Sequence, residues 1–164
     1  MKKTLAVLVE NKPGVLARVS GLFSRRGFNI DSLVVGTTEK PDISRMTIVV
    51  DGDDRILEQV RKQLNKLINV IKISDLLPDQ SVERELALIK VSANSNNRSE
   101  IMQIVDVFRA SIIDVQKNSL IIEITGDSEK INAMEQLLRQ YGIKEMMRTG
   151  KVAMSRGAKV IVVD

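Results

Sequence analysis

The sequence contains no cysteine, no histidine and no tryptophan, and its aromatic residues are one Tyr and three Phe, 2% of the chain. Without Cys there is no disulfide, no thiolate metal ligand and no thiol nucleophile. Without His the usual neutral-pH general base and the commonest metal ligand are missing as well. Catalysis would have to rest on carboxylates, Lys, Ser or Tyr141. The candidate carboxylates Glu58, Glu83, Glu85, Glu100, Glu129 and Glu135 fall at positions that read as helix surfaces or strand ends. So few aromatics cannot form a base-stacking platform, which makes nucleic-acid binding the weaker reading. No apolar run approaches the roughly 18 residues that span a membrane. Met1-Lys2-Lys3 leads straight into a strand-like run and not a signal peptide, so the cytoplasm is the expected compartment.

What remains is the composition of an ordinary soluble globular protein: 164 residues, 43% hydrophobic and 28% charged, with a formal net charge of +4. That length suits one medium domain or two small ones. The basic residues alternate with acids, as in Arg55, Glu58, Arg61, Lys62 and Lys66, a balance that permits an acidic partner without demanding one.

The chain is organised around residues 9–23. Leu5, Val7 and Val9 form an apolar run before this stretch, and Val15, Leu16, Val19, Leu22 and Phe23 recur at helical spacing within it. Between them stands Asn11-Lys12-Pro13-Gly14. Pro13 suits a helix start, and Gly14 leaves the backbone open to close approach. The first N–H groups of the helix, those of Gly14 to Leu16, have no internal partner and face outward beside the Asn11 amide, which makes a small anion site. A helix N-terminus favours a negative charge by only about 0.3–1 kcal/mol when exposed, so a carboxylate needs further contacts, and a zwitterionic amino acid offers them. The same residues also read as a plain strand-to-helix turn, with Asn11 bonded to its own backbone.

Arg25-Arg26-Gly27 closes this helix with cations and a glycine. A strand over 28–37, a turn at Glu39-Lys40-Pro41-Asp42, an alternating strand over 44–50, a helix carrying Ile56, Leu57, Val60 and Leu64, and a strand over 70–76 follow. The order βαββαβ predicts a ferredoxin-like α+β unit with both helices on one sheet face. Residues 5–9 and 33–35 are apolar on both sides, so the other face is expected to meet another sheet or subunit, and a dimer is predicted.

Leu77-Pro78-Asp79-Gln80-Ser81 is the best boundary, giving a domain at 1–77, a linker at 78–82 and a second domain at 83–164. The second half repeats the order: a strand over 85–91, a helix with Ile101, Ile104, Val105 and Phe108, a hairpin turned at Lys117-Asn118-Ser119, a helix with Ile131, Met134, Leu138 and Tyr141, and a strand near 143–147 with 152–154 as a possible continuation. An offset of 83 residues, the difference between 109 and 26, sets Arg26 on Arg109 and Asp31 on Asp114. Where the first half has Asn11-Lys12-Pro13-Gly14, the second has neither Pro nor Gly between Ser92 and Ser99. Any ligand bound through that turn therefore belongs to the N-terminal unit.

The Asn-x-Pro-Gly-Val-Leu turn within the βαββαβ order resembles an ACT domain, a family of amino-acid-sensing modules. Glu10 to Leu16, Ser24 to Leu33, Ser44 to Val49, Glu83 to Val91, Arg148-Thr149-Gly150 and Ser155-Arg156-Gly157 together resemble, over essentially the whole chain, the small regulatory subunits of acetohydroxyacid synthase (acetolactate synthase). The resemblance implies two tandem ferredoxin-like units, an ACT domain and an ACT-like C-terminal domain, with no active site of their own. It implies a large catalytic subunit as partner, with thiamine diphosphate, a divalent metal and FAD bound there and no cofactor in this chain. It further implies a homodimer, activation of the partner, and feedback inhibition by a branched-chain amino acid, usually valine. Carried over by position, the effector site comprises Asn11, Pro13, Gly14, Val15 and Leu16 of one subunit with Asn29 and Ile30 of its neighbour. Arg148 to Gly157 reads equally as a docking element or an ordered loop. A stand-alone ACT protein that senses an amino acid or binds nucleic acid, and a small carboxylate-dependent enzyme, are the other classes.

Overall fold

The structure is a computed structural model that describes residues 1–163. It divides into two compact units, residues 1–83 with 151–163, and residues 84–150.

The first unit contains β1 (Lys2–Glu10), α1 (Val15–Arg26), β2 (Ile30–Thr37), β3 (Ile43–Asp51), α2 (Asp54–Asn65) and β4 (Val70–Leu76). The strands form an antiparallel sheet in the order β2-β3-β1-β4, the expected ferredoxin-like arrangement. Leu5, Val7 and Val9 of β1 and Met46, Ile48 and Val50 of β3 meet Val15, Val19, Leu22 and Phe23 of α1 and Val60 and Leu64 of α2. Each such side chain, once buried, contributes about 1.5–3 kcal/mol. The helix ends follow local chemistry. Asp53 caps α2 by accepting from the Ile56 N–H at 3.0 Å. Gly27, at φ 70°, closes α1 as the Gly27 and Phe28 N–H groups bond back to Ser24 and Phe23. The Phe28 ring then packs edge-on against Phe23 at 6.2 Å, so β2 begins at Ile30 and not at 28.

The opposite face is covered within the chain, whereas another sheet or a second subunit were the two expectations. Thr4, Ala6 and Leu8 point there and are buried, without a second subunit. The cover is the chain's own tail: Ala6, Leu76 and Ala153 of β9 (Val152–Ser155) cluster together with Ile161 against them. Arg45 donates to the Ala153 carbonyl at 2.8 Å, Lys72 to Val162 at 3.3 Å and Lys40 to Val163 at 3.0 Å. Residues 151–163 thus pack with the first unit, whereas the expected second domain ran to 164. The reason is physical: a central strand that is apolar on both sides needs a cover on both sides.

The second unit holds most of β5 (Ser81–Ser92), then α3 (Arg98–Val107), β6 (Ser111–Val115), β7 (Ser119–Gly126), α4 (Ser128–Leu138) and β8 (Ile143–Arg148). Its sheet order, β6-β7-β5-β8, repeats the first. Ala87, Ile89, Val91, Leu120, Ile122 and Ile124 pack against Ile101, Val105, Ile131, Met134 and Leu138 of the helices. Arg148 is the clasp of this unit. It donates to both Glu85 carboxylate oxygens, at 2.8 and 3.1 Å, and to the Asn132 side chain at 2.7 Å. Ser128 adds a bond to Glu85 at 3.0 Å. The hydrogen bonding to Glu85 raises the Arg148 pKa, against the opposing effect of burial.

The two partners are unequally buried: the Glu85 side chain is 7% exposed and that of Arg148 is 31% exposed. Arg148→Ala strips a buried carboxylate of its bidentate partner and should cost about 3 kcal/mol, the low end for a broken buried pair. Glu85→Ala leaves a cation that water can reach and should cost about 1 kcal/mol. Urea unfolding followed by the fluorescence of Tyr141, which lies in this unit, measures both. Equal losses would show that burial does not set the energetics of the clasp.

Candidate functional site

β1 ends at Glu10, and the chain turns through Asn11, Lys12, Pro13 and Gly14 before α1. Gly14 is the N-terminal boundary residue of the helix and sits in the left-handed region at φ 84°, a conformation that costs other residues. A Cβ placed there would meet nothing within 4 Å, so the space in front of the turn is open. No side chain caps α1, and its first turn carries no acid. By contrast α2 and α4 are capped by Asp53 and Asp127.

The Val15 N–H reaches back to the Lys12 carbonyl at 3.4 Å and is not available as expected. The N–H groups of Gly14, Leu16 and Ala17 carry no hydrogen bond among the described residues. Ala17 is the last of the four N–H groups that a helix bounded by Gly14 leaves without an internal partner, one beyond the three expected. Val15 is buried and anchors the helix, while Leu16 is 46% exposed beside the opening.

Asn11 does not bond to its own turn. Its N–H donates to the Asp42 carbonyl at 2.8 Å and its side-chain amide to the Pro41 carbonyl at 2.9 Å, which ties the turn to the β2–β3 hairpin loop. One of the two Nδ2 hydrogens is used on Pro41, which leaves the second donor and the Oδ1 acceptor of this exposed side chain without a partner among the described residues. Asn69, buried behind the turn, supports it by accepting from the Glu10 N–H through its backbone and from Arg18 through its side chain, the latter at 2.6 Å. Neither the hairpin loop nor Asn69 carried a sequence signal beyond turn composition.

Asn29 and Ile30 stand elsewhere in the same unit. Asn29 is exposed, its amide has no partner among the described residues, and it is not left-handed, since Gly27 supplies that conformation. Ile30 packs against the core and pairs with Val50, whereas the Asn11 turn lies at the end of the sheet where Glu10 pairs with Ile43. Seven strand steps separate Ile30 from Thr37 at the turn's end, about 23 Å at strand rise. Within one chain the two groups of residues therefore do not converge.

The corresponding turn of the second unit is self-satisfied. Asn94 Oδ1 accepts from the Asn96 and Asn97 N–H groups, and Asn97 Oδ1 accepts from the Asn94 N–H. The helix it leads into, α3, has no side-chain cap either, and its Ser99 and Glu100 N–H groups carry no hydrogen bond among the described residues, so the two turns differ in their Pro-Gly geometry and not in having open helix donors. Among the described residues no group of three or more His, Cys, Asp or Glu converges as a metal site, and no helix is long and apolar enough to cross a membrane.

Comparison with known proteins gives a consistent picture. Residues 5–72 match the family described as the AHAS small subunit-like ACT domain, and residues 84–157 match the family described as the small subunit of acetolactate synthase. A protein of Archaeoglobus fulgidus named "Probable acetolactate synthase small subunit" is 65% identical over 97% of this chain and 99% of its own length. The "Acetolactate synthase small subunit" of Mycolicibacterium smegmatis is 60% identical over 96% of this chain and 93% of its own. The crystal structure of the acetolactate synthase small subunit from Thermotoga maritima superposes with a TM-score of 0.91 at 47% identity, covering 97% of this chain and 99% of that one.

The left-handed Gly14 gives a direct test of the turn. Gly14→Ala should cost about 1–2 kcal/mol through backbone strain alone, because the added methyl meets no atom. Gly36→Ala, which also meets open space but at no positive φ, should stay within about 0.5 kcal/mol of the parent. Thermal unfolding monitored by far-UV circular dichroism compares them.

Proposed function

This chain belongs to the family of acetolactate synthase small subunits, and from that footing we propose that it is a non-catalytic regulatory subunit. It activates a large catalytic subunit and confers feedback inhibition by a branched-chain amino acid, valine being the family's usual effector. Thiamine diphosphate, the divalent metal and FAD belong to the large subunit in this reading.

The observation that carries the effector reading is the uncapped start of α1, where the Gly14, Leu16 and Ala17 N–H groups are free and the exposed Asn11, whose Oδ1 accepts no bond among the described residues, stands three residues before Gly14. The N–H groups suit a carboxylate, and Oδ1 suits an ammonium. The apolar wall comes from a second copy. β2 is an edge strand of its sheet, with Val35, Gly36 and Thr37 exposed. Two copies joined antiparallel along β2 bring Ile30 and Asn29 of one toward Thr37 of the other, the end of the sheet where the Asn11 turn stands. The far placement of Asn29 and Ile30 within one chain thus favours a homodimer with the effector seat across its interface.

A ligand that touches both copies binds best when they are paired correctly, so it biases the dimer by its differential affinity. Coupling of about 1–3 kcal/mol changes the partner equilibrium some 5- to 150-fold, enough for feedback control.

Gly14→Asp sets a carboxylate in the effector's place, and Asp tolerates the left-handed backbone better than most residues. Mixed with the large subunit, this variant should activate normally and raise the half-inhibiting valine concentration by at least about tenfold, equivalent to a loss of about 1.4 kcal/mol. Asn29→Ala should act in the same direction. Hybrid dimers of the two variants retain one intact seat and should recover part of the valine response. Absence of any recovery would place the seat within a single copy and overturn the shared site.

A further inference from the structure

Arg45 plays no part in the effector reading, although it lies in the Ser44 to Val49 stretch that carries the family resemblance. It pairs with Leu8 on the sheet face away from the helices, since Met46 beside it enters the helix-side core. Its guanidinium is part-buried and, among the described residues, makes one hydrogen bond, to the Ala153 carbonyl. Among the described residues it has no carboxylate partner. Desolvation by burial lowers its pKa. A cation withdrawn from water and facing only a neutral acceptor keeps donors for a stronger one.

The space in front of Arg45 is a cleft of about 260 Å³ between the sheet and the tail. Leu8, Ile43, Met154 and Ile161 form its apolar wall, and Lys40, whose ammonium now donates to the Val163 carbonyl, is the second cation on its lining. Glu39 also lines it, an acid that would pair with an ammonium and repel a second anion. The volume falls just below the range of roughly 300–1,000 Å³ that houses drug-sized ligands, so the occupant has few heavy atoms.

We propose that this cleft binds a short aliphatic carboxylate, its acid group on Arg45 and Lys40 and its hydrocarbon against Leu8, Ile43, Met154 and Ile161, at a site separate from the α1 turn. The two sites share one element. The β2–β3 hairpin loop is bound from one side by Asn11, through the Pro41 and Asp42 carbonyls, and contributes Glu39 and Lys40 to the cleft on the other. Occupancy of the cleft is therefore placed to alter the loop on which Asn11 rests.

Isobutyrate, a branched carboxylate without an ammonium, is the probe, and the Met154 methyl group in methyl-labelled full-length protein is the reporter, assigned by Met154→Leu. The Met154 signal should shift saturably with isobutyrate. Arg45→Gln should weaken the apparent Kd at least tenfold, and Lys40→Gln, at an exposed residue outside the core, about threefold. Gly14→Asp, which blocks the effector seat, should leave the titration unchanged. A Met154 signal that does not respond, an unchanged Kd in both cation variants, or loss of the response in Gly14→Asp would each overturn the proposal. Valine titrated into Gly14→Asp protein then identifies the ligand class. Tighter binding than isobutyrate, lost in Glu39→Gln, assigns an amino acid, and equal or weaker binding assigns a carboxylate without an ammonium.

Discussion

β1 has no solvent side, and most of the first unit follows from that constraint. Leu5, Ala6, Val7, Leu8 and Val9 are all at most 3% exposed. A strand flanked by β3 and β4 with both faces apolar must be covered above and below. The two helices cover one face and the tail the other, so the helix-side core and the residue 151–163 segment answer the same requirement. The strand's fixed position also fixes its exit, the Asn11 turn, whose hydrogen bonds to Asp42, Pro41 and, through Glu10, to Asn69 keep α1 starting at one place.

The two units share one topology and differ where it matters for function. In the first, a proline, a left-handed glycine and an uncapped helix leave backbone donors open. In the second, Asn94 and Asn97 bond to each other within the equivalent turn, although α3 is likewise uncapped, and the most buried charge, Glu85, is neutralised by Arg148. The first turn is set by a proline and a left-handed glycine, the second by asparagine side chains. Burial explains why Glu85 is paired, since an unpaired Glu85 would be far more costly than an unpaired surface amide.

Much of this was legible in the sequence. Period-2 and helical spacing gave the βαββαβ order twice, and Pro13-Gly14 and Arg25-Arg26-Gly27 marked the ends of α1 because those residue types act locally. What escaped was long-range. The apolar character of residues 5–9 showed that a second cover was needed but not that residues 151–163 provide it, since Val152 to Met154 reads as well continuing one sheet as covering another. The Asn11–Pro41 bond spans thirty positions and depends on loop geometry that composition does not encode.

The seat proposed at the start of α1 has a stereochemical consequence. In the proposed seat the helix amides take the carboxylate and Asn11 Oδ1 takes the ammonium. In the proposed homodimer a hydrocarbon wall from the second copy would add a third, different contact around one carbon atom. Three unlike attachments at a single tetrahedral centre make such a seat chiral, so the mirror-image enantiomer would have to give up one of them.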